Sequence, residues 1–356
     1  MAAYISFQPR DHYKTITYAG TGSGAKVVTG VGFQPDFTWF KQYDATRSWV
    51  QIDSVQGVSK AVSSDGDAAQ QSNANYLASF DSDGFTTGAT QDNGTNTSGG
   101  NYVSYSWKAG TTSGLATNGS TTITPSSYSF NQTTGISIIT YAGNGTSGAK
   151  LAHGLGQVPA VFFVKCLSST NDWRVYHQHI HNTDPEDNQI TLNTSGGIDN
   201  QPDFMNDNPC DSVNIELGNQ GKINSNGETY IMYVYAEKKG FSKFGEYEGD
   251  GSTNGFFCYT GFRPSMVLIK NTDSSTNWMT WDIGQSPNNE MHNTLFPHNT
   301  NAQNTTTTDN DIDFLCNGFK IREDNGDLNN NGAKILFFAW AEFPLVSSNG
   351  LPCTAK

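Results

Sequence analysis

Pro35-Asp-Phe-Thr-Trp-Phe-Lys41, with Trp49 eight residues after the lysine, is a stretch that the chain contains in three versions. The other two versions are Pro159-Ala-Val-Phe-Phe-Val-Lys165 with Trp173 and Pro264-Ser-Met-Val-Leu-Ile-Lys270 with Trp278. The proline, the lysine and the tryptophan keep the same spacing in every version, which is the signature of an internal repeat. The run between proline and lysine is short and apolar, so we expect a buried central strand in each copy.

The repeat extends to both sides of these stretches. A tyrosine before a glycine-rich turn precedes each copy, and an apolar strand closes each copy at residues 102–107, 230–235 and 335–340. We therefore divide the chain into module one (residues 1–110), a Thr/Ser/Gly-rich linker (111–135), module two (136–243) and module three (244–356). The long linker predicts that module one is the more independent unit, whereas modules two and three pack as a near-rigid pair.

Composition indicates the fold class. Only 15% of the 356 residues are charged, 12% are aromatic and 37 are glycine, a balance that is typical of short strands joined by many turns. Asp83-Gly84 and Asn317-Gly318, each flanked by apolar residues, are strong hairpin signals. We predict an all-β protein of three tandem antiparallel β-sandwich modules, jelly-roll-like and with very little helix.

Charge, cysteines and hydropathy exclude several classes of protein. The formal net charge of -13 comes from 20 basic and 33 acidic residues with no basic stripe, which argues against nucleic-acid binding. Neither a signal peptide nor an apolar run of membrane-spanning length is visible, so we expect no membrane insertion. The five cysteines are widely spaced without a C-x-x-C pair, so we expect free thiols in a reducing cytoplasm. They are Cys166, Cys210, Cys258, Cys316 and Cys353.

His177-Gln-His-Ile-His181 places three imidazoles two residues apart. On a strand, His177, His179 and His181 would point to one face, as metal ligands must. His177, however, occupies the position that Asp53 and Asp282 hold in the other two copies, which favours a structural role after the tryptophan. We therefore expect no bound metal, and we keep the three histidines as the candidate ligands to be tested.

Other patterns have both a functional and a structural interpretation. The segment 143–148 fits G-x-G-x-x-G, but the glycines that follow cannot open a helix, so we expect a hairpin turn. The acidic segments 81–83, 309–313 and 323–327 offer oxygen ligands for Ca²⁺, yet none completes an EF-hand loop, and Asx turns are favoured. The repeated tryptophans could stack on sugars, but their fixed distance from a buried strand favours core packing. They are Trp49, Trp173 and Trp278, with Trp107 and Trp340.

No set of residues points to an enzyme. Polysaccharide cleavage needs two carboxylates flanking the scissile bond, and the sequence nominates no such pair. A Gly-x-Ser-x-Gly elbow and a Cys/His pairing are also missing. We predict a non-enzymatic protein with no catalytic residues and no cofactor.

Several phrases resemble one protein family. Ser79-Phe-Asp-Ser-Asp-Gly-Phe85, Tyr102-Val-Ser-Tyr-Ser-Trp-Lys-Ala-Gly110, Trp173-Arg-Val-Tyr-His177 and Gly240-Phe-Ser-Lys-Phe-Gly245 are similar to repeat-containing virion structural proteins of marine tailed bacteriophages, often labelled tail fibre or structural protein. The resemblance covers about residues 16–343, and the insertion at 299–313 and the acidic segment at 184–187 depart from the family pattern.

The resemblance implies a place on the virion, with assembly in the host cytoplasm. We expect a tail appendage, fibre-type protein or adaptor that docks on other virion proteins as a homo-oligomer, with host-surface glycans as further candidate partners. A capsid decoration protein, of cement or head-fibre type, and a virion polysaccharide depolymerase are the alternatives. Function is expected where the copies differ, at residues 177–187, at 299–313 and in the linker.

Overall fold

The computed structural model describes residues 5–90, 94–307, 309–344 and 346. Nearly all of its regular structure is antiparallel β-sheet. Helix is limited to the single turns α1 (Gly221–Asn224) and α2 (Gly326–Asn329) and to 3-10 turns at Pro9–Asp11 and Pro185–Asp187. The prediction of an all-β protein with very little helix is confirmed.

The strands follow the three modules, except that β10 lies in the linker and that β19 begins at Ser242, two residues before the predicted start of module three. The strands of module one are β1 (Tyr13–Ala19), β2 (Val27–Thr29), β3 (Phe37–Gln42), β4 (Val50–Asp53), β5 (Lys60–Ala61), β6 (Gln71–Ser72), β7 (Leu77–Asp81), β8 (Gly84–Thr87) and β9 (Asn101–Trp107). Those of the linker and module two are β10 (Ser127–Asn131), β11 (Ile136–Ala142), β12 (Ala149–Ala152), β13 (Val161–Cys166), β14 (Arg174–His177), β15 (Asn188–Gln189), β16 (Asp199–Asn200), β17 (Asn214–Leu217) and β18 (Thr229–Tyr235). Next come β19 (Ser242–Glu248), β20 (Phe257–Tyr259), β21 (Phe262–Arg263), β22 (Met266–Asn271), β23 (Trp278–Asp282), β24 (Ile312–Leu315), β25 (Gly318–Ile321), β26 (Lys334–Trp340) and β27 (Phe343–Pro344) of module three.

Each module builds a principal sheet with the same strand order. The first strand pairs with the closing strand, and the closing strand also pairs with the post-proline strand. The other neighbour of the post-proline strand is the strand that begins at the repeated tryptophan or directly after it. The three orders are β1-β9-β3-β4, β11-β18-β13-β14 with β10 added at the β11 edge, and β19-β26-β22-β23. The internal repeat read from the sequence is therefore a repeat of topology as well.

The post-proline strands β3, β13 and β22 are buried along their whole length because both faces of each principal sheet are covered. One face of all three sheets packs into a single shared core, to which Trp39, Phe163 and Leu268 contribute one residue from each module. This packing does not support the prediction that module one is the more independent unit, because side chains of all three modules share one core.

The outer face of each principal sheet carries a core of its own, closed by a smaller sheet. The smaller sheets are β2-β8-β7 in module one, β12-β17 in module two and β20-β25-β24 in module three. Phe40, Phe162 and Val267, which neighbour the shared-core residues along their strands, fill these separate outer cores. Alternation along each post-proline strand thus sends successive side chains to two different cores. The remaining pairs, β5-β6, β15-β16 and β21-β27, are two-stranded.

The segment that composition assigns to a linker contains one strand and two bridge residues. Its residues 127–131 form β10, paired with β11. Ile123 forms a bridge with Leu151 and adds to the free edge of β12, where the Ile123 amide donates to the Lys150 carbonyl over 2.9 Å. Ser129 Oγ donates to Asp36 of module one over 2.9 Å. The linker therefore completes the small sheet of module two and contacts module one.

The cysteines of the described part are free thiols, with Cys166, Cys210 and Cys258 buried and Cys316 half-buried. Cys353 lies outside the described residues. In the described ranges, no helix has the length and apolar character needed to cross a bilayer.

Candidate functional site

The repeated tryptophans lie where modules meet. Trp49, Trp173 and Trp278 are each fully buried in the shared core, so the core interpretation of these side chains is confirmed. Each indole also donates to a backbone carbonyl of another module. The contacts are Trp49 Nε1 to Phe296 (3.0 Å), Trp173 Nε1 to Ser63 (2.7 Å) and Trp278 Nε1 to Thr191 (3.0 Å). Module one thus bonds to three, two to one and three to two, which closes a ring.

The repeated lysines close the same ring in the same direction. Lys41 Nζ donates to the Thr300 carbonyl (3.0 Å), Lys165 Nζ to that of Asp67 (3.0 Å) and Lys270 Nζ to that of Ser195 (2.9 Å). Burial lowers the pKa of each lysine to about 8. Thr300 belongs to the 299–313 insertion, so the start of that insertion is used for a contact inside the chain.

A third set of contacts between repeated residues joins the modules, and from donor to acceptor its hydrogen bonds run in the same direction, from module two to one and from module one to three. Asp53 of module one accepts a hydrogen bond from Tyr233 of module two, and Asp282 of module three accepts one from Tyr105 of module one, both over 2.8 Å. Burial raises the pKa of both carboxyl groups. The equivalent residue of module two is His177, whose ring meets Phe338 of module three edge-on, with centroids 4.9 Å apart. In module two, the aspartate position therefore holds a histidine. In module three, the tyrosine position that faces this histidine holds a phenylalanine.

The three candidate histidines do not converge. β14 ends at His177, so the strand alternation that would align the three rings stops there. His177 is fully buried, its Nδ1 accepts from the His179 amide over 3.1 Å, and burial lowers its pKa to about 3. His181 is exposed and faces Asp184, with Nδ1 3.6 Å from Oδ2. In the described part of the chain, the ligand atoms of these three residues do not form a metal-binding group.

The glycine turns after the first strand of each module are held by a buried asparagine that the sequence analysis missed. Asn224 Oδ1 accepts from the Asn144 amide (2.9 Å), while its Nδ2 donates to the Thr146 and Gly218 carbonyls. Asn96 and Asn329 make equivalent contacts in modules one and three. The segment 143–148 is therefore a turn, as predicted, but it joins strands of two different sheets rather than forming a hairpin. Each asparagine stands six residues before the same position of the closing strand, a signal that was present in the sequence.

The structure also brings together a group of potential metal ligands in module three. Ligand atoms of Glu290, His292 and Asp311 all lie within 4.8 Å of one another. A backbone bridge fixes this arrangement, because the Met291 amide donates to the Ile312 carbonyl over 2.8 Å. Met291 and Ile312 point into the outer core of module three, so their neighbours along both strands point to the opposite face.

On that opposite face, His292 lies across from Asp311, and Glu290 lies across from Asp313. His292 Nδ1 and Asp311 Oδ1 are 2.8 Å apart. Asp311 is buried, His292 is half-buried and Glu290 is exposed, so the group has an open side. Imidazole and carboxylate groups are common ligands of divalent cations.

The surroundings of this group are acidic. Burial and the neighbouring carboxylates of Asp311, Asp324, Asp309 and Glu290 raise the pKa of Glu323. Two of the acidic segments of the sequence, 309–313 and 323–327, are thus neighbours in space. Since His292 stands alone in the sequence, no local spacing marks it as a partner of Asp311. The third acidic segment makes contacts within module one, because Asp83 accepts from the Gly30 and Gly32 amides, which lie 53 and 51 residues away along the chain, so these bonds are tertiary contacts and not an Asx turn.

A second surface feature is the edge strand β20 with its exposed aromatic side chains. Tyr259 is 59% exposed, and Phe256 and Phe257 are also exposed. The Ile321 amide donates to the Phe256 carbonyl, and the Thr260 amide donates to the Asn317 carbonyl. In an antiparallel ladder these bonds alternate, so the backbone groups of Phe257 and Tyr259 point away from β25. The equivalent edge in module two, β12, is the one that Ile123 covers.

A cleft of about 400 Å³ between modules two and three contains carboxylates. Glu246, Glu248 and Asp273 contribute to its walls, together with Lys334. Lys334 Nζ lies 2.8 Å from Glu246 Oε2 and also bonds to the Asn182 side chain of module two. The lysine therefore neutralises one carboxylate and joins the two walls.

Comparison with known proteins matches nearly the whole chain to one family. No curated protein and no solved structure matches the chain. One family model, described as a domain of unknown function (DUF7483), matches residues 8–344 and so spans all three modules. The chain belongs to this family.

Proposed function

We propose that this chain is a non-enzymatic structural protein of a tailed-phage virion surface, built from three β-sandwich modules of jelly-roll type. The observation that carries the proposal is the use of the repeated polar residues. The tryptophan, lysine and aspartate or histidine positions all serve to hold the modules to one another. The repeated residues therefore have a structural role, which suits a protein that is a component of a particle.

Docking on other virion proteins is the activity that the surface supports best. Edge strand β20 has outward-pointing backbone groups and exposed aromatic side chains, which suit the addition of a strand from another protein. The chain already uses this mode once, where Ile123 adds to β12. On the particle we propose several copies, in a tail appendage or adaptor, with capsid decoration as the alternative.

The ion-paired cleft offers no support for a polysaccharide depolymerase. A glycosidase requires two carboxyl groups that flank the scissile bond, whereas Glu246 is engaged by the Lys334 ammonium group. Host-surface glycans are further candidate ligands, which a virion-surface protein meets during attachment.

Quantitative mass spectrometry of purified particles tests the proposal. We expect the chain in the particles, with three, six or twelve copies for a tail position and hundreds for a capsid position. Its absence from washed particles would refute a virion role. Release of sugar from host-surface glycan by the purified protein would refute the non-enzymatic assignment.

A variant pair tests the docking edge. Tyr259→Lys places a charge on β20 and should reduce incorporation into particles. Val27→Lys is the matched control, because Val27 is exposed on the corresponding strand β2 of module one. Normal incorporation of the Tyr259 variant would rule out docking through β20.

A further inference from the structure

The geometry of module three points to a divalent transition-metal site formed by Glu290, His292 and Asp311, and we infer that it binds Zn²⁺ or Mn²⁺. The three side chains come from two chain segments and meet with their ligand atoms within 4.8 Å of one another. The site is unrelated to the histidine cluster at 177–181 and to the docking edge β20.

Backbone hydrogen bonds hold the ligand side chains in position in the absence of an ion. Met291 and Ile312 exchange backbone hydrogen bonds of 2.8 and 3.5 Å, which fixes His292 opposite Asp311. One rung further, the Asn289 side chain bonds to both backbone polar groups of Phe314, over 2.8 and 3.0 Å. Glu290 is therefore held between two fixed rungs. Ligands placed in advance lose less conformational freedom when the ion binds.

A second observation points to a cation at the same place. Asp313 lies on the same face as Asp311 and across from Glu290, and its side chain is only 6% exposed. Its Oδ2 is paired with Arg322, whereas the buried Oδ1 accepts no hydrogen bond from any described residue. A buried carboxylate oxygen without a donor costs free energy, and a cation bound on this face would reduce that cost for Asp313 Oδ1, which lies outside the group of three ligand atoms.

The type of ligand selects the class of ion. An imidazole with carboxylates suits Zn²⁺ or Mn²⁺, whereas Ca²⁺ is bound by six to eight oxygen ligands. The open side at exposed Glu290 leaves room for water molecules to complete the coordination shell. The acidic neighbours, including Glu323, add attraction for any cation. The bound ion would fasten the loop between β23 and β24 to β24.

Calorimetric titration of the full chain with ZnCl₂ or MnCl₂, after treatment with a chelator, tests the site. We expect one ion per chain, a rise in the unfolding temperature, and no comparable saturable binding of CaCl₂. His292→Ala and Glu290→Gln change residues that are not buried, and each should weaken binding by about tenfold or more. His181→Ala is the control, because His181 faces a carboxylate but belongs to no group of three ligands among the described residues, and it should leave the affinity unchanged.

Three results would overturn the inference. They are no saturable binding of either ion, binding that His292→Ala leaves intact, and Ca²⁺ binding as tight as that of Zn²⁺ and Mn²⁺. Far-UV circular dichroism checks that each variant is folded, so that lost binding reports on the ligands.

Discussion

Replacing Trp278 with alanine tests whether the three modules share one core. Trp278 is fully buried in that core, and its indole donates to the Thr191 carbonyl of module two over 3.0 Å. Truncating a buried tryptophan costs about 3–5 kcal/mol, and leaving the carbonyl without a donor adds about 1–3 kcal/mol. We therefore expect a loss of about 4–8 kcal/mol in the free energy of unfolding.

Urea unfolding followed by both far-UV circular dichroism and tryptophan fluorescence is the measurement. Because the core is common to all modules, both signals should fall in one transition, and the substitution should move that whole transition. Trp281→Ala is the matched control, since Trp281 is equally buried but bonds to Asn310 within its own module. It should be destabilising without breaking a contact between modules. A Trp278 variant that loses less than about 1 kcal/mol, or a separate transition of module one that the variant leaves unmoved, would refute the shared core.

Three other perturbations have defined outcomes. Tyr105→Phe removes the hydroxyl that bonds to buried Asp282 and should cost about 1.5–3 kcal/mol by urea unfolding; an unchanged midpoint would contradict the contact. The pKa of His177 is lowered to about 3 by burial, so the unfolded chain binds a proton that the folded chain does not as the pH falls below 6.5. Stability should drop from pH 6.5 towards pH 4, and His177→Gln should reduce that slope; an equal slope in the variant would exclude this histidine as a source. Asn224→Ala leaves the Asn144 amide and the Gly218 carbonyl without partners and should cost about 2–4 kcal/mol, detectable as a lower thermal midpoint; a midpoint within error of the parent protein would show that the glycine turn holds without the asparagine.

The sequence by itself determined the fold class, the three copies and the position of the buried strands. The spacing of proline, lysine and tryptophan survives in all copies because each residue has a fixed place relative to one strand. It also indicated correctly that Trp173 is a core residue, and it aligned His177 with Asp53 and Asp282, which are buried as His177 is. Such inferences succeed because alternation and spacing along a strand are local properties of the chain.

Only the tertiary structure decided how the copies are joined. The composition of residues 111–135 suggested a loose connection, yet the ring closes through backbone carbonyls such as that of Ser63. Every residue has a carbonyl, so no pattern of side chains marks the acceptor. The pairing of His292 with Asp311 also depends on contacts between distant segments. The bridge between Met291 and Ile312 sets the register of the two segments, and neither segment alone predicts it. Contacts between distant segments depend on how the sheets pack, and that packing is a property of the whole chain.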